Sequence, residues 1–199
     1  DPNAKVLLIC VELCTLHFQK DQTEDSLLAN SLFADGAAAV LLSSGTKKGL
    51  NLSIEEFVCA LHPEGKREMA WKIGNFGFEM KLTSYVPDII KGGIKGLTQK
   101  LLRSLKVSLD QIEYFAIHPG GKRILRFVED ELGIDQQKNQ SSHKVLRKYG
   151  NMSSPTILFV LKDVWSKLLA SKEPSYILNF AFGPGLTLES MLLKSKVVK

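Results

Sequence analysis

A histidine that follows a predicted buried strand is the first residue of this sequence whose type and position suit chemistry. The segment 116–121 reads AIHPGG, so His118 lies between the end of that strand and a glycine-rich turn into a helix. An imidazole placed there faces a cleft next to helix N–H groups, and such a site suits the stabilisation of an anion. From its position alone, a hydrogen-bonded core histidine is the more common explanation.

A second polar residue stands just ahead of a predicted buried helix. Asn151 lies in the segment 149–154, YGNMSS, where its carboxamide can donate to a developing oxyanion with help from the helix dipole. A simple helix cap explains the same residue. The segment 182–187, FGPGLT, predicts a rigid loop with little side-chain bulk, and a tight turn accounts for it equally well.

The elements that must position these residues include several strands. Unbroken apolar character over 5–13 (KVLLICVEL) predicts a central strand that is buried on both faces. Because a two-sided interior strand is an unusual first element, we expect another segment to precede it. Further strands are predicted at 37–42, 54–61, 114–117, 175–181 and 186–193, the last two joined in a hairpin-like crossing, with an irregular or short-stranded segment at 64–78.

Helices are predicted between these strands. A helix over 87–105 has its apolar residues on one stripe, namely Ile90, Ile94, Leu97, Leu101 and Leu105. Others are predicted at 26–33, from Ile124 to a stop at Gly133, at 141–147, and from Ser153 and Ser154 to about Leu169. The last of these is apolar on several sides, which predicts a buried central helix. Periodicity alone therefore indicates an α/β domain.

Composition restricts the class of protein. The 199 residues are 44% hydrophobic and 24% charged, and no apolar run reaches the ~18–20 residues of a membrane span. The net charge of +5 fits a well-solvated surface or the attraction of an anionic substrate. Because the basic residues are scattered, nucleic acid is not expected as a partner. Cys10, Cys14 and Cys59 lack metal-type spacing, and their odd number without a secretory signal indicates a cytoplasmic protein.

Five segments in order resemble one protein family. IHPGG, YGNMSS and FGPGLT, together with VELCTLHF (11–18) and SLFADGAAAVLL (31–42), are similar to the type III polyketide synthases, the chalcone and stilbene synthase group. The resemblance covers essentially all of the chain, against the second half of a family member. It implies an α/β fold that is the C-terminal half of a thiolase-like fold, layered around a mixed central sheet. Residues 1–199 are then one domain, and an N-terminal domain with the nucleophilic cysteine is missing.

The resemblance also implies an active site. Family members use a Cys-His-Asn triad, in which His118 takes the histidine role and Asn151 the asparagine role. As an imidazolium, His118 would stabilise the cysteine thiolate, and both residues would hold the thioester oxygen of malonyl-CoA during its decarboxylation. The enolate attacks a starter acyl group on the cysteine in a Claisen condensation. The implied enzyme is an acyltransferase that needs no metal or redox cofactor and forms a homodimer.

Residues that shape the substrate pocket carry over with departures. Phe33 matches a phenylalanine that gates the passage between the coenzyme A tunnel and the cavity, while Met80 replaces a second gating phenylalanine. Ser153 and Pro184 are expected to line the cavity. Lys122 and Arg123 are candidates for contact with coenzyme A phosphates, although a solvated helix face explains them as well.

Three further departures separate the chain from plant members of the family. Cys14 and His17 stand where plant enzymes place small hydroxyl residues at substrate-binding positions, and Trp71 falls near a usual glycine. These differences favour a bacterial-type synthase. Cys14 and His17 do not suggest a catalytic dyad, because residues three apart in an extended segment point to opposite faces.

Two alternatives remain open from the sequence. A ketoacyl-carrier-protein synthase of the initiating type has the same fold and His-Asn pair, although the double glycine after Pro119 and the FGPGLT segment favour the polyketide synthase. The other alternative is a non-catalytic half-domain that binds acyl-CoA or dimerises. Without the nucleophilic cysteine, this chain alone is predicted to be inactive.

Overall fold

A mixed four-stranded sheet forms the centre of the fold in the computed structural model, which describes residues 3–18, 20, 22–75, 77–82, 86–171 and 173–198. The described strands are β1 Lys5–Glu12, β2 Gly36–Ser43, β3 Gly49–Leu61, β4 Met69–Gly74, β5 Gly77–Leu82, β6 Ile112–Ile117, β7 Tyr176–Gly183 and β8 Thr187–Val198. The described α-helices are α1 Glu24–Leu32, α2 Val86–Leu105, α3 Lys122–Leu132, α4 Gln140–Tyr149 and α5 Ser154–Ser171.

The central sheet has the order β3-β8-β7-β6. β6 runs parallel to β7, whereas β7–β8 and β8–β3 are antiparallel, so the sheet is mixed as predicted. β7 and β8 form the predicted hairpin across the glycine-proline turn. β4 and β5 pair as a separate hairpin in the segment that was predicted to be irregular or short-stranded.

Helices cover the two faces of this sheet because neighbouring residues of a strand point to opposite sides. Leu178 packs in one hydrophobic cluster with α2 and α3, and Ile177 packs in a second cluster with α5. The stripe predicted on α2 is confirmed: four of its members are buried and Leu105 is partly buried against the same cluster. α3 ends at Gly133, whose φ of 63° is the left-handed conformation that glycine adopts without strain.

Helix α5 is buried along one face rather than on several sides. Val160, Val164 and Leu168 are fully buried, whereas Leu169 is 52% exposed. The prediction of burial on several sides is therefore only partly confirmed. Other apolar side chains of α5, such as that of Trp165, are half-buried, because the central sheet covers only one side of the helix.

Strands β1 and β2 lie where they were predicted, but the predicted burial of β1 is wrong. Val6, Leu7 and Ile9 are each more than half exposed. The two strands pair only with each other as an antiparallel ribbon in the described part of the chain. At the end of the ribbon, the carboxylate of Glu12 accepts a hydrogen bond from the Ser154 hydroxyl (2.6 Å) at the start of α5. A continuous apolar pattern shows which surface a strand can bury; it does not show what covers that surface.

No helix in the described ranges is both long and apolar enough to cross a membrane.

Candidate active site

His118 is held at the junction of β6 and α3 by its own backbone. Its N–H donates to the Phe180 carbonyl (2.8 Å) in the neighbouring strand β7, and its carbonyl accepts from the Gly120 N–H (2.9 Å). The first bond keeps His118 in register with the central sheet, and the second begins the turn that leads to α3. The side chain is therefore presented from a rigid strand end, as the sequence predicted.

Asn151 is tied to the segment that carries Phe33. The Asn151 N–H donates to the Leu32 carbonyl and the Ala34 N–H donates to the Asn151 carbonyl, both at 2.9 Å, so that Asn151 forms a parallel bridge with Phe33. This close approach needs a glycine at position 150, where φ is 73° and a Cβ atom would lie 3.0 Å from the Leu32 carbonyl oxygen. Asn151 and Phe33 thus take fixed positions relative to each other.

The Asn151 side chain is buried and its amide orientation follows from one hydrogen bond. Its Oδ1 accepts from the Ser153 N–H (2.9 Å), which also holds Ser153 in an unusual left-handed conformation (φ 57°). Among the described residues, the Asn151 Nδ2 group has no hydrogen-bond partner. Its two N–H donors are therefore free to bind a group that enters the adjoining cavity.

A small cavity of about 90 Å³ brings six of the predicted site residues together. These are His118, Asn151, Phe33, Met80, Ser153 and Pro184. The other lining residues, to which no role was assigned from the sequence, are Met69, Ala70, Trp71, Gly120, Ile124 and Phe182. Gly120 and Phe182 stand inside the IHPGG and FGPGLT motifs, so the motifs themselves were a signal for them, whereas Met69 and Ala70 had none.

A larger cavity of about 410 Å³ adjoins the first and contains the other two predicted pocket residues, Cys14 and His17. Phe33, Met80 and Trp71 line both cavities, so they stand between them. The imidazole of His17 lies 5.1 Å from the Trp71 ring and 5.7 Å from the Phe78 ring, centroid to centroid. His17 and Trp71 both line the larger cavity, so two rings in contact stand next to its boundary with the smaller one.

Comparison with known sequences decides the family. Residues 50–197, which include both His118 and Asn151, match the model of the family described as chalcone and stilbene synthases, C-terminal domain. The chain belongs to the chalcone and stilbene synthase family. It is 35% identical over 96% of its length to a putative chalcone synthase from Bacillus subtilis (strain 168), of which it covers 54%. It is also 35% identical over 98% of its length to probable polyketide synthase 1 from Dictyostelium discoideum, of which it covers 6%.

Solved structures agree with this family and with the thiolase-like fold. The chain resembles a polyketide synthase from the brown alga Ectocarpus siliculosus, with a TM-score of 0.89 and 29% identity over 98% of this chain and 53% of the other. It also resembles the C-terminal type III polyketide synthase domain of Steely1, a hybrid from Dictyostelium, with a TM-score of 0.87 and 32% identity over 100% and 55%. The chain thus spans about half the length of these structures. Because these relatives come from several lineages, the bacterial type stays a prediction.

In this member of the chalcone and stilbene synthase family, Cys14 is not set up as a nucleophile. Burial raises the pKa of its thiol, and the carboxylates of Glu12 and Asp35 raise it further, so that the reactive thiolate is disfavoured. The argument from an extended segment was wrong, however, because Cys14–His17 is a 3₁₀ helix, in which side chains three apart lie on the same side. Asp35 stabilises that turn by accepting from both the N–H and the hydroxyl of Thr15.

Lys122 and Arg123 lie apart from the residues described above. Both are exposed on the first turn of α3 and, within the described ranges, they line neither of the two cavities. Their contact with coenzyme A phosphates stays a prediction, since the coenzyme A part of the substrate would meet them at the surface rather than in the cavity.

Burial also determines the charge of His118. The surrounding protein removes water from the imidazole and lowers its pKa to about 4, so the ring is neutral at neutral pH in this chain. The predicted imidazolium requires an anion close by, such as a thiolate, to offset the loss of hydration. A neutral imidazole still offers one N–H donor and one acceptor to the cavity.

The lowered pKa of His118 predicts a stability that depends on pH. The folded chain excludes a proton that the unfolded chain binds below a pKa of about 6.5, so stability is complete above about pH 6.5 and falls as the pH falls towards 4. We expect wild type to lose about 1–3 kcal/mol more than His118→Gln between about pH 7 and about pH 4. The upper value is reduced by water in the cavity, to which His118 keeps partial access. Urea unfolding across this range measures the difference, and parallel curves for the two proteins would contradict it.

Proposed function

We propose that this chain supplies the His-Asn half of the active site of a type III polyketide synthase. That enzyme is an acyltransferase, which condenses a starter acyl-CoA with malonyl-CoA in a decarboxylative Claisen reaction. The observation that carries the proposal is that His118 and Asn151 line one small cavity, with the amide donors of Asn151 unpartnered among the described residues. The family match and the names of the relatives favour this enzyme over a ketoacyl-carrier-protein synthase.

The reaction begins on a cysteine that lies outside this chain. Its thiolate attacks the thioester carbonyl of the starter, forming an acyl-cysteine and releasing coenzyme A. The thioester oxygen of malonyl-CoA then accepts hydrogen bonds from the His118 imidazole and the Asn151 amide. When the carbon–carboxylate bond breaks, CO2 leaves and the electron pair delocalises onto that oxygen as an enolate. The enolate carbon attacks the acyl-cysteine, and the thiolate departs as the new carbon–carbon bond forms.

The enclosed position of His118 suits this chemistry in two ways. A desolvated cavity strengthens hydrogen bonds to a developing negative charge, because little water competes for the oxygen. The same desolvation makes the charge of the imidazole depend on its partner. An adjacent thiolate favours the imidazolium, and the ring becomes neutral when it gives its proton to the coenzyme A thiolate that departs as the cysteine is acylated. Neutral His118 then donates its N–H to the enolate.

Pocket residues set the path of the acyl group in this proposal. Phe33 and Met80, which line both cavities, control the passage between them, while Cys14, His17, Ser153 and Pro184 contact the growing chain. Methionine is flexible, so a passage that contains Met80 adapts to different acyl groups. Lys122 and Arg123 bind coenzyme A phosphates. The enzyme needs no metal or redox cofactor, functions in the cytoplasm and is a homodimer.

Comparing this chain alone with the full-length protein tests the proposal directly. We expect the chain alone to release no CO2 from malonyl-CoA above background, whereas the full-length protein decarboxylates malonyl-CoA and forms polyketide from acyl-CoA starters. Cys14→Ala should leave malonyl-CoA decarboxylation by the full-length protein well above background, because a protonated thiol is a poor nucleophile, while the change in the pocket alters the products. Both are measured by CO2 release and product analysis. Turnover by the chain alone that disappears in Cys14→Ala would show that Cys14 is the nucleophile.

A further inference from the structure

The outer edge of β6 bonds to the segment that leads into α4 and to the first turn of that helix. In a strand, alternate N–H groups point to the same edge, and Phe115 and Ile117 both present theirs away from β7. The Phe115 N–H donates to the Lys138 carbonyl (3.1 Å), and the Ile117 N–H donates to the Ser142 hydroxyl oxygen (3.0 Å). Ile117 and Ser142 are both 0% exposed, so water cannot replace Ser142 as the acceptor.

Ser142 therefore holds the residue that immediately precedes His118. The His118 N–H points the other way, to β7, so the strand end is fixed on both sides: by Phe180 from within the sheet and by Ser142 from α4. Loss of the Ser142 hydroxyl would leave the buried Ile117 N–H without its acceptor at the point where the chain turns towards His118.

The same helix leads to the other proposed donor. α4 runs from Gln140 to Tyr149, and the next two residues are Gly150 and Asn151. Ser142 lies in the first turn of α4 and Asn151 lies just past its last turn, so one short helix connects them. A shift of α4 against β6 would change the distance between the His118 imidazole and the Asn151 amide.

The beginning of α4 is itself anchored to α3, the helix that follows His118. Glu129, which is 7% exposed, accepts from the Asn139 amide (2.7 Å) and lies 2.6 Å from the His143 Nε2. Asn139 and His143 flank Ser142 in sequence. The segment that carries Ser142 is therefore fixed against both β6 and α3, the two elements that adjoin His118.

We infer that Ser142 is a positioning residue for His118, and that α4 sets the separation of His118 and Asn151 through it. The inference rests on the proposed function, since it assigns to Ser142 the alignment of the His-Asn pair. Ser142 does not touch the reacting atoms, so its removal should slow the chemical step while the binding of malonyl-CoA stays unchanged.

Ser141 provides a matched control for Ser142. The two residues are adjacent in α4 and equally buried, but the Ser141 hydroxyl bonds to Asp163 (2.8 Å) and accepts from Lys167 (2.9 Å), both in α5. Its loss removes the hydrogen bonds of a buried serine hydroxyl to charged side chains of α5 without touching β6. A merely structural role for Ser142 would make the two alanine variants behave alike.

The test measures malonyl-CoA decarboxylation and Ile117 amide exchange in the full-length protein. We expect Ser142→Ala to lower kcat about 10-fold, within the ~10²-fold that a misplacement of about 1 Å can cause, with KM within about twofold. Ile117 amide exchange should accelerate. Ser141→Ala should keep kcat within about twofold and leave Ile117 exchange unchanged, and Ser142→Thr, which retains the hydroxyl, should keep most of the rate. The kcat of Ser142→Cys, whose sulfur is a weaker acceptor of similar size, should lie between the kcat values of wild type and Ser142→Ala. This variant replaces Ser142→Ala in the test if the alanine variant does not fold.

Each result has a defined meaning. Equal kcat values for Ser142→Ala and Ser141→Ala, or a wild-type kcat for Ser142→Cys, would overturn the positioning role, provided that His118→Ala is strongly impaired. A His118→Ala variant with the wild-type rate would instead remove the proposed function, and the role of Ser142 with it.

Discussion

Replacement of His118 by alanine in the full-length protein is expected to lower the rate of malonyl-CoA decarboxylation by about 10²–10³-fold, the usual effect of removing one oxyanion donor. The loss follows from geometry: His118 lines the small cavity next to Asn151 and is fixed at the end of a buried strand. Because the interaction strengthens as the enolate forms, the effect should fall mainly on kcat. CO2 release from malonyl-CoA measures it directly.

Two further histidine variants sharpen this prediction. His118→Gln offers an amide donor in place of the imidazole and should retain more activity than His118→Ala. His62→Ala is the matched control, since His62 lines neither described cavity and instead bonds to Glu64 (2.9 Å). His62→Ala should leave the rate within about twofold, because it removes no group that lines either cavity. A wild-type rate in His118→Ala would remove the imidazole from the mechanism.

The second large effect is expected at Asn151. Asn151→Ala removes an oxyanion donor and should slow decarboxylation by about 10²-fold or more. Asn151→Asp is the more informative change, because a carboxylate can still accept from the Ser153 N–H and so preserve the local turn. It replaces the unpartnered amide donors by a negative charge, which repels the enolate oxygen. We therefore expect Asn151→Asp to lose at least as much activity as Asn151→Ala.

Asn179 gives a control of the same residue type and burial. It lies in β7, donates to the carbonyls of Ile177 and Met191, and lines neither cavity in the described part of the protein. Asn179→Ala should lower the melting temperature while kcat stays within a few-fold of wild type. If Asn151→Asp kept the full rate of decarboxylation, the amide would have no part in holding the oxygen.

The parts of the site that the sequence predicted are those that depend on local backbone. His118 follows a strand and Asn151 precedes a helix, and both places are marked by glycine and serine patterns that need only neighbouring residues to be read. The apolar stripe of α2 was predicted for the same reason, since helical periodicity is a local property. Family motifs added the pocket residues Phe33, Met80, Ser153 and Pro184, all of which line the smaller cavity.

The parts that were missed depend on contacts between distant segments. Nothing in the pattern of β1 showed that its apolar side chains would be exposed among the described residues, because periodicity describes a surface and not its partner. The hydrogen bond from Ile117 to Ser142 joins residues that are 25 positions apart, and neither residue type stands out in sequence. Nor did the sequence mark Glu129 as buried, because its carboxylate is stabilised there by hydrogen bonds with Asn139 and His143 from another segment.

Trp71 illustrates an intermediate case. The resemblance placed it near a glycine of the plant enzymes without showing what it would contact. In the structure, Trp71 stands between the two cavities, with the ring of His17 against it. The contact between these two rings depends on the β4–β5 hairpin, which carries Trp71, and on the 3₁₀ helix at Cys14–His17. Neither was predicted as a defined element from the sequence.

The most direct measurement is a crystal structure of the full-length protein with a malonyl-CoA analogue that cannot lose CO2. We expect the thioester oxygen to lie in the cavity between His118 and Asn151, about 2.7–3.1 Å from one imidazole nitrogen and from the Asn151 Nδ2. An oxygen that is bound elsewhere, or that touches one of the two side chains while the other turns away, would contradict it.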